Sequence, residues 1–446
     1  MWGFEAEPEF QKKLDWVDRF VGEEVEPLDV LFHKDQCYNP GNEALWAIMA
    51  PLKKKVREQG LWACHLPNHL GGDGWGQLHL AQLNQILGRS YFAPSVFGTA
   101  APDTGNAEIL AHFGTEKQKA MYLRPLLDGD IVSCFSMTEP QAGADPRMFN
   151  CRARRQADGS WRLNGEKWYS SNACWAEFII VMAITDPEAP IHEGATMFVV
   201  PRDRAGVNIV RNVGLFDEMP GTGIEAYLRY EDVVLSDDDI LGNVNEAFKI
   251  AQFRLGGGRI HHAMRTIGLA SKAFEMTCER VLSRESQGEL LAEKQIIQEK
   301  ISNVWMGIEQ LRLFVMQTAW KIDKYNDYKK VRKDISAAKI LTERVLTNTV
   351  NTAIHIHGSL GITNEMPFGD MLYMGFIMGL ADGPTEVHQV TVAKQVLRDY
   401  KGIDDLFPSQ HVLKTVAAAR EKYKDYLHLS GPKSRWVEYL EEEEQA

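Results

Sequence analysis

The sequence predicts a mainly α-helical protein with a central β domain: an N-terminal helical domain, a small antiparallel β-barrel-like domain and a C-terminal helical bundle. Two changes of pattern along the 446 residues carry this reading. Apolar residues recur at helical spacing up to about residue 130 and again from about residue 242, and between them the chain turns to short apolar runs broken by turn sequences. A chain of this length exceeds one hydrophobic core, so closely packed subdomains are expected.

In the first region, residues 1–130, Phe10, Leu14, Val17 and Val21 follow one another at spacings of four, three and four, which places them on one helix face. In the second, residues 131–241, "FIIVMAIT" and "ATMFVV" read as strands, with "DGS", "NG" and "PGTG" as the turns between such runs. The helix period returns over residues 242–400, for example at Ile267, Phe274, Cys278 and Val281, with long segments near 291–325 and 331–357. The "GGG" before Arg259 predicts a broken first turn, because each glycine weakens a helix by about 1 kcal/mol relative to alanine. Residues 401–446 form an extension of unassigned role; "HVLKTVAAAREKYKDYLHL" reads as an amphipathic helix and the final glutamates as a solvated tail.

Composition narrows the classes. Hydrophobic residues make up 44% and charged residues 25%, ordinary for a globular protein, and no stretch approaches the roughly 18 unbroken apolar residues of a spanning helix. Membrane insertion is not expected. The net charge of -12 argues against a nucleic-acid surface while leaving room for a local basic pocket around one nucleotide. Cys37, Cys64, Cys134, Cys151, Cys174 and Cys278 are scattered, with no Cys-x-x-Cys pair, which fits a reducing interior without disulfides or structural zinc. The start, "MWGFEAEPEF", lacks presequence character and the end, "EEEEQA", is no peroxisomal address. The expected location is cytoplasmic, or an organelle matrix after processing.

Three stretches could carry chemistry. "SMTEPQAGAD" (Ser136–Asp145) taken alone is a turn-rich loop, and "NGEKWYSSN" (Asn164–Asn172) the start of a strand after an Asn-Gly turn. Alternate strand residues share a face, so Lys167, Tyr169 and Ser171 are expected to point one way and Trp168 and Ser170 the other, setting an aromatic ring beside a hydroxyl. Glu166 and Lys167 read as solvated strand-edge charges. In "GLADGPTEVHQ" (Gly379–Gln389), Asp382 sits on a Gly/Pro turn ahead of a helix. It is either part of a helix-start signal, with Gly383 or Thr385 as cap and Glu386 complementing the helix dipole, or a base. His261 and His262 face about 100° apart on a helix, so a shared metal is not expected.

This order of helices, a Thr-Glu-Pro-x-Ala-Gly-x-Asp loop, an Asn-Gly-x-Lys-x-Trp/Tyr-x-Thr/Ser-Asn strand and further helices resembles the acyl-CoA dehydrogenase family over about residues 5 to 400. The resemblance implies FAD as cofactor. The backbone around Met137 and the Thr138 hydroxyl would meet the pyrimidine edge of the isoalloxazine, Tyr169 would pack against the ring and Ser171 would bond N5. "RLGGGRIHHAMRTIGLA" corresponds to a helix whose Arg259 lies near substrate and catalytic loop, and Arg284 in "RESQG" would reach FAD in a neighbouring subunit. "HIHGSLG" matches a loop on the pyrophosphate side, bringing in His355, Gly358 and Ser359, with His357 a cofactor contact or packing residue. Thr385 joins the cofactor contacts. The pattern departs from the family at Gln287, where Phe is usual, at His355, where Gln is usual, at Ser359, where Gly is usual, and at Ala144, which replaces a Ser that contacts CoA.

By the same resemblance Asp382 holds the position of the catalytic base, as in the branch with Ala-Asp-Gly-Pro that includes members fused to kinase-like domains. The family's other base position, one residue before the Arg, is here Gly258. The implied activity is α,β-dehydrogenation of an acyl-CoA thioester, with the α-proton going to Asp382, the β-hydride to flavin N5 and electrons onward to an electron-transferring flavoprotein, in a homodimer or homotetramer. Base, oxyanion donors and N5 must converge for that chemistry. An aspartate starts near pKa 3.9, and a closed apolar site is expected to raise it by about three units, or roughly 4 kcal/mol. Two rivals remain: a nitroalkane-oxidase-like flavoenzyme with the same Asp base, and a non-catalytic subunit of a hetero-oligomer, suggested by Gln287, His355 and Ser359.

Overall fold

Phe10, Leu14, Val17 and Val21 are all buried in the computed structural model, on one side of helix α1 (Pro8–Phe20) and the wider turn that continues it, Val21–Val25. The structure describes residues 6–443. The first five residues of the acidic start and the last three of the acidic end lie outside them, and with them those parts of the readings made on "MWGFEAEPEF" and "EEEEQA". The longer helices that follow are α2 (Glu43–Glu58), α3 (Gln77–Leu87) and α4 (Asp103–Phe113). Strands β1 (Ser133–Ser136), β2 (Arg152–Arg155), β3 (Trp161–Lys167), β4 (Phe178–Ile184), β5 (Ala195–Pro201), β6 (Val207–Val213), β7 (Glu225–Leu235) and β8 (Ile240–Leu241) come next. Helices α5 (Ala247–Ser283), α6 (Gln295–Tyr325), α7 (Arg332–His357), α8 (Phe368–Leu380) and α9 (Thr385–Leu397) complete the architecture of helices around a central sheet.

The sheet runs β6-β7-β3-β2-β4-β5-β8, with β1 paired to β4. It is mixed rather than wholly antiparallel, since β1 and β2 both run parallel to β4. Parallel pairing needs a long crossover, which the intervening β2–β3 hairpin supplies between β1 and β4. The unbroken apolar run of β4 reflects burial on both faces. Phe178, Ile180 and Met182 pack with Ile109 and Leu110 of α4 and Ala251 of α5, while Ile179, Val181 and Ala183 join Leu163 and Leu228 beneath the other half of the sheet. A third core unites α1 to α3 with α5 to α7, through Val17, Leu83, Ile267, Val315 and Val350 among others.

Helix α5 is continuous through Gly256, Gly257 and Gly258, contrary to the broken turn expected there. Packing overrides propensity because side chains press onto the glycine track. A Cβ on Gly256 would lie 3.0 Å from the Tyr328 ring, one on Gly257 2.9 Å from Glu108, and one on Gly258 3.1 Å from the Asp382 carboxylate. Farther along, α3 and α5 cross backbone to backbone: a Cβ on Gly268 would fall 1.9 Å from the Gln85 carbonyl oxygen.

The chain divides into two compact units between Val392 and Ala393. The second contains α10 (Val412–Tyr423) and α11 (Arg435–Glu443), neither of which has a buried residue. Its last described glutamates, Glu441 to Glu443, close α11 as helix, with Glu441 paired to Lys433 at 2.8 Å. All six cysteines carry free thiols. No helix among the described residues is long and apolar enough to cross a membrane.

Candidate active site

Residues 258, 262 and 265 repeat at helical spacing, so Gly258, His262 and Arg265 share one face of α5. The Asp382 loop docks on that face. Gly258 leaves the room, and an Asp382 carboxylate oxygen sits 3.9 Å from His262 Nε2. Arg265 donates to His262 Nδ1 at 3.3 Å, so that nitrogen is the acceptor and the Nε2–H faces Asp382. Asp382 holds a left-handed backbone conformation, φ 57°, a strained state that short polar side chains tolerate best. Two donors pin it: Arg259 Nε at 2.9 Å and His388 Nε2 at 3.2 Å both meet the Asp382 carbonyl oxygen. No backbone N–H of α9 donates to the Asp382 carboxylate among the described residues, so the side chain serves the cluster on α5 instead of capping the helix.

The charge around Asp382 differs from the apolar pocket expected. Burial would raise its carboxyl, yet His262, Arg254, Arg259 and Lys339 outweigh that and hold it below the ordinary carboxylate value. Burial first and then Arg265 push His262 down to about 3, against Asp382, so at neutral pH it is an uncharged imidazole and Arg254, Arg259 and Lys339 are the charged members of the cluster. Lys339 is buried in α7, donates to the Met378 carbonyl and is pushed down to about 8 by burial, with Asp382 opposing. Arg254 is buried, its guanidinium 4.0 Å from the Phe135 ring centre and its Nε donating to Asn106 at 3.0 Å. Asp382 is thus an ionised carboxylate whose proton affinity its neighbours lower, the reverse of the rise expected from a closed apolar site.

A second surface forms where the 137–139 loop meets the end of β3. Lys167, expected in solvent, is fully buried. Its ammonium donates to the Met137 carbonyl at 2.7 Å and to Glu139 at 2.9 Å, because β3 is an inner strand and a charge buried there needs a partner. Glu139 also accepts from the Asn150 and Cys151 backbone at 2.6 and 3.1 Å. Glu166 is half-buried and paired with Arg229 at 3.0 Å. Trp168 N–H donates to the Thr138 carbonyl at 2.8 Å, so Met137 and Thr138 lie against Trp168 and Tyr169. The strict alternation expected past Lys167 fails, since β3 ends there and Tyr169 adopts φ 53°. Tyr169 nevertheless ends 49% exposed, one residue on from the backbone bond that joins Trp168 to the partly exposed Thr138. Ser171 donates its hydroxyl to Glu225 at 2.8 Å.

Arg284, His355, Gly358 and Ser359 are exposed, Arg284 just past α5 and the other three at the end of α7 and in the turn after it. Among the described residues they take no part in the contacts that assemble the Asp382 cluster or the Thr138–Tyr169 surface. Gln287 and Gly288 form the tight turn of a short hairpin, both at positive φ. His357 is buried, bonded to the Ala353 carbonyl at 2.8 Å and packed on Phe368. Thr385 lies within 3.4 Å of Glu343 and of the Gly379 carbonyl. Sequence reasoning missed Arg254, Lys339, His388 and Glu225. For two of them a signal existed: Lys339 lies on the stripe of Ile335, Thr342 and Leu346, and Arg254 on that of Ala247 and Ile250, so each is a charge on a buried helix face. A cleft of about 420 Å³ beside the 146–152 segment is lined by Arg147, Asn150, Arg152 and His192.

Comparison with known proteins agrees with this architecture. Models of the N-terminal, middle and C-terminal domains of acyl-CoA dehydrogenases match residues 7–130, 134–222 and 245–397. The chain belongs to the acyl-CoA dehydrogenase family. It is 34% identical to mouse acyl-CoA dehydrogenase family member 10 over 88% of this chain and 37% of that protein. It is 35% identical to chicken family member 11 over 87% of this chain and 50% of that protein, so it spans half or less of these relatives' length. The Mycobacterium tuberculosis acyl-CoA dehydrogenase FadE2 is 38% identical over 80% of this chain and 88% of its own. Among solved structures, an acyl-CoA dehydrogenase from Mycobacterium abscessus superposes with a TM-score of 0.81 at 34% identity, covering 89% of this chain and all of that one. Butyryl-CoA dehydrogenase from Megasphaera elsdenii gives 0.74 at 25% identity, with the same coverage.

Proposed function

We propose that this protein catalyses FAD-dependent α,β-dehydrogenation of an acyl-CoA thioester, with Asp382 as the base that takes the α-proton. The observation that carries the reading is the convergence of the family's two base positions. A Cβ on Gly258 would stand 3.1 Å from an Asp382 carboxylate oxygen, so either position delivers a carboxylate to one place. Asp382, the candidate base, is held below the ordinary carboxylate value by His262, Arg254, Arg259 and Lys339 against its burial, and is held in place through its own carbonyl by Arg259 and His388. Arg259 is therefore a positioning residue for the loop.

The second surface fits a flavin by its polar groups: the Thr138 hydroxyl, the Ser171 hydroxyl oxygen, the backbone at Met137 and the open Tyr169 ring suit a neutral, flat heterocycle with a polar edge. FAD, when bound, supplies the acceptor for the β-hydride. Arg284, His355, Gly358, Ser359 and Thr385 would hold its adenosine and pyrophosphate side, with the exposed four best explained by a site completed in a homodimer or homotetramer. An electron-transferring flavoprotein is the proposed acceptor; nitroalkane oxidation to oxygen is the alternative that the same Asp base permits.

The test is anaerobic addition of acyl-CoA thioesters of varied chain length to the FAD-loaded protein. Bleaching of the flavin absorbance by at least one thioester, lost in Asp382→Asn with FAD retained, is expected. Rapid aerobic turnover of a nitroalkane without thioester bleaching would overturn the proposal in favour of the alternative, and a protein that takes up no FAD would defeat both.

A further inference from the structure

The hydroxyl of Ser171 has one proton, and the structure shows where it goes. Oγ donates to Glu225 at 2.8 Å. Three backbone bonds clamp the two residues side by side: Ser170 N–H to the Ala226 carbonyl at 3.1 Å, Ala226 N–H to the Ser170 carbonyl at 3.3 Å, and Asn172 N–H to the Ile224 carbonyl at 2.8 Å. Glu225 opens β7, so neither partner can drift without breaking the sheet. With its proton committed, Ser171 has only lone pairs left for any third group.

We infer that Glu225 fixes the polarity of the Ser171 hydroxyl, so that Ser171 meets flavin N5 as a hydrogen-bond acceptor and favours the reduced cofactor. This rests on the flavin reading above. Oxidised N5 carries a lone pair and asks for a donor; reduced N5 carries a hydrogen and asks for an acceptor. A serine whose proton is free can serve the oxidised ring by rotating, whereas one held by a carboxylate serves the reduced ring. Glu225 acts through Ser171 and is a positioning residue. Burial first, then Asp35 and Glu218, push its carboxyl up to about 7 against the Ser171 hydrogen bond. Tyr169 and Cys134 are the other titratable groups that feel it. The carboxylate form, and so the fixed polarity, prevails above neutrality.

The experiment measures the reduction equilibrium of bound FAD at pH 8.5 against a reference dye, in wild type, Ser171→Ala, Glu225→Ala and the double variant, with Glu225→Val as a second replacement suited to a strand. In the wild-type background Ser171→Ala should make reduction harder by about fivefold, the worth of one net hydrogen bond. In either Glu225 variant the same serine change should act in the opposite direction, because the freed hydroxyl there donates to the oxidised ring. Each comparison holds residue 225 constant, and in the Glu225 variants no carboxylate remains whose charge the serine change could alter. A serine effect of the same sign in both backgrounds overturns the inference, as does loss of FAD from both Glu225 variants while wild type retains it. A wild-type protein that stays colourless after incubation with FAD defeats the flavin reading itself, and is told apart from these outcomes at the first step.

Discussion

Exchanging the two base positions tests the geometry of the site most directly. Asp382→Asn keeps the shape of the side chain and its tolerance of φ 57° but cannot take a proton, and a general base contributes about 10² to 10⁴ in rate, or about 2.7 to 5.4 kcal/mol of barrier. The carboxylate can then be returned from the other side with Asp382→Gly paired with Gly258→Glu. The Cβ of residue 258 would lie 3.1 Å from the present Asp382 oxygen. A glutamate oxygen lies about 2.9 to 3.6 Å from its own Cβ depending on rotamer, whereas an aspartate oxygen is fixed at about 2.4 Å. Gly258→Glu therefore reaches the point and Gly258→Asp falls short of it. Anaerobic stopped-flow reduction of the flavin by a thioester substrate is the assay. Asp382→Asn and Asp382→Gly should each lose at least about 10²-fold, and the pair with Gly258→Glu should recover at least about tenfold over Asp382→Gly, with Gly258→Asp recovering less. Near wild-type bleaching in Asp382→Asn, or no recovery in the FAD-loaded pair, would refute the convergence argument.

Lys167→Met should cost about 3 to 5 kcal/mol, since it strands the buried Glu139 carboxylate; urea midpoints measure this, and Lys167→Met combined with Glu139→Leu should restore part of it. Gly268→Ala should destabilise by about 1 to 3 kcal/mol despite alanine's better helix propensity, because the methyl meets the Gln85 carbonyl at 1.9 Å; a gain in thermal stability would contradict the backbone crossing. Glu108 is buried and raised from 4.5 to about 8, by burial first and against Tyr328 and Arg254. A carboxyl raised in the fold stabilises it fully below the unfolded pKa and loses that contribution as pH climbs through the folded value. Urea titrations at pH 5 and pH 8.5 should therefore show Glu108→Gln gaining stability relative to wild type at the higher pH, and equal differences at both would dismiss the assignment.

How much of this was legible in the sequence follows from the range of each interaction. The period of Phe10, Leu14, Val17 and Val21, the apolar runs of β4 and β5 and the turn before α9 are local patterns, so the mainly helical class with a central sheet could be read directly. The motifs around Thr138 and Asp382 were legible because their residues are near neighbours in sequence. The unbroken helix through Gly256 to Gly258 was not, since propensity weighs each glycine alone while Tyr328, Glu108 and Asp382 arrive from three distant segments to fill the track. Lys167 was misplaced for the same reason: nothing beside it in sequence shows that Glu139 waits across the sheet.

The sequence by itself determined the element classes, which rest on spacing along one chain, and the family resemblance, which implied the candidate base. The tertiary structure decided the electrostatics. His262, Arg254, Arg259 and Lys339 come from α5 and α7 to hold Asp382 below the ordinary carboxylate value where an apolar pocket was expected, and Glu225 comes from the start of β7 to claim the proton of Ser171. Coulomb interaction and hydrogen bonding depend on distance through space, and only folding sets those distances.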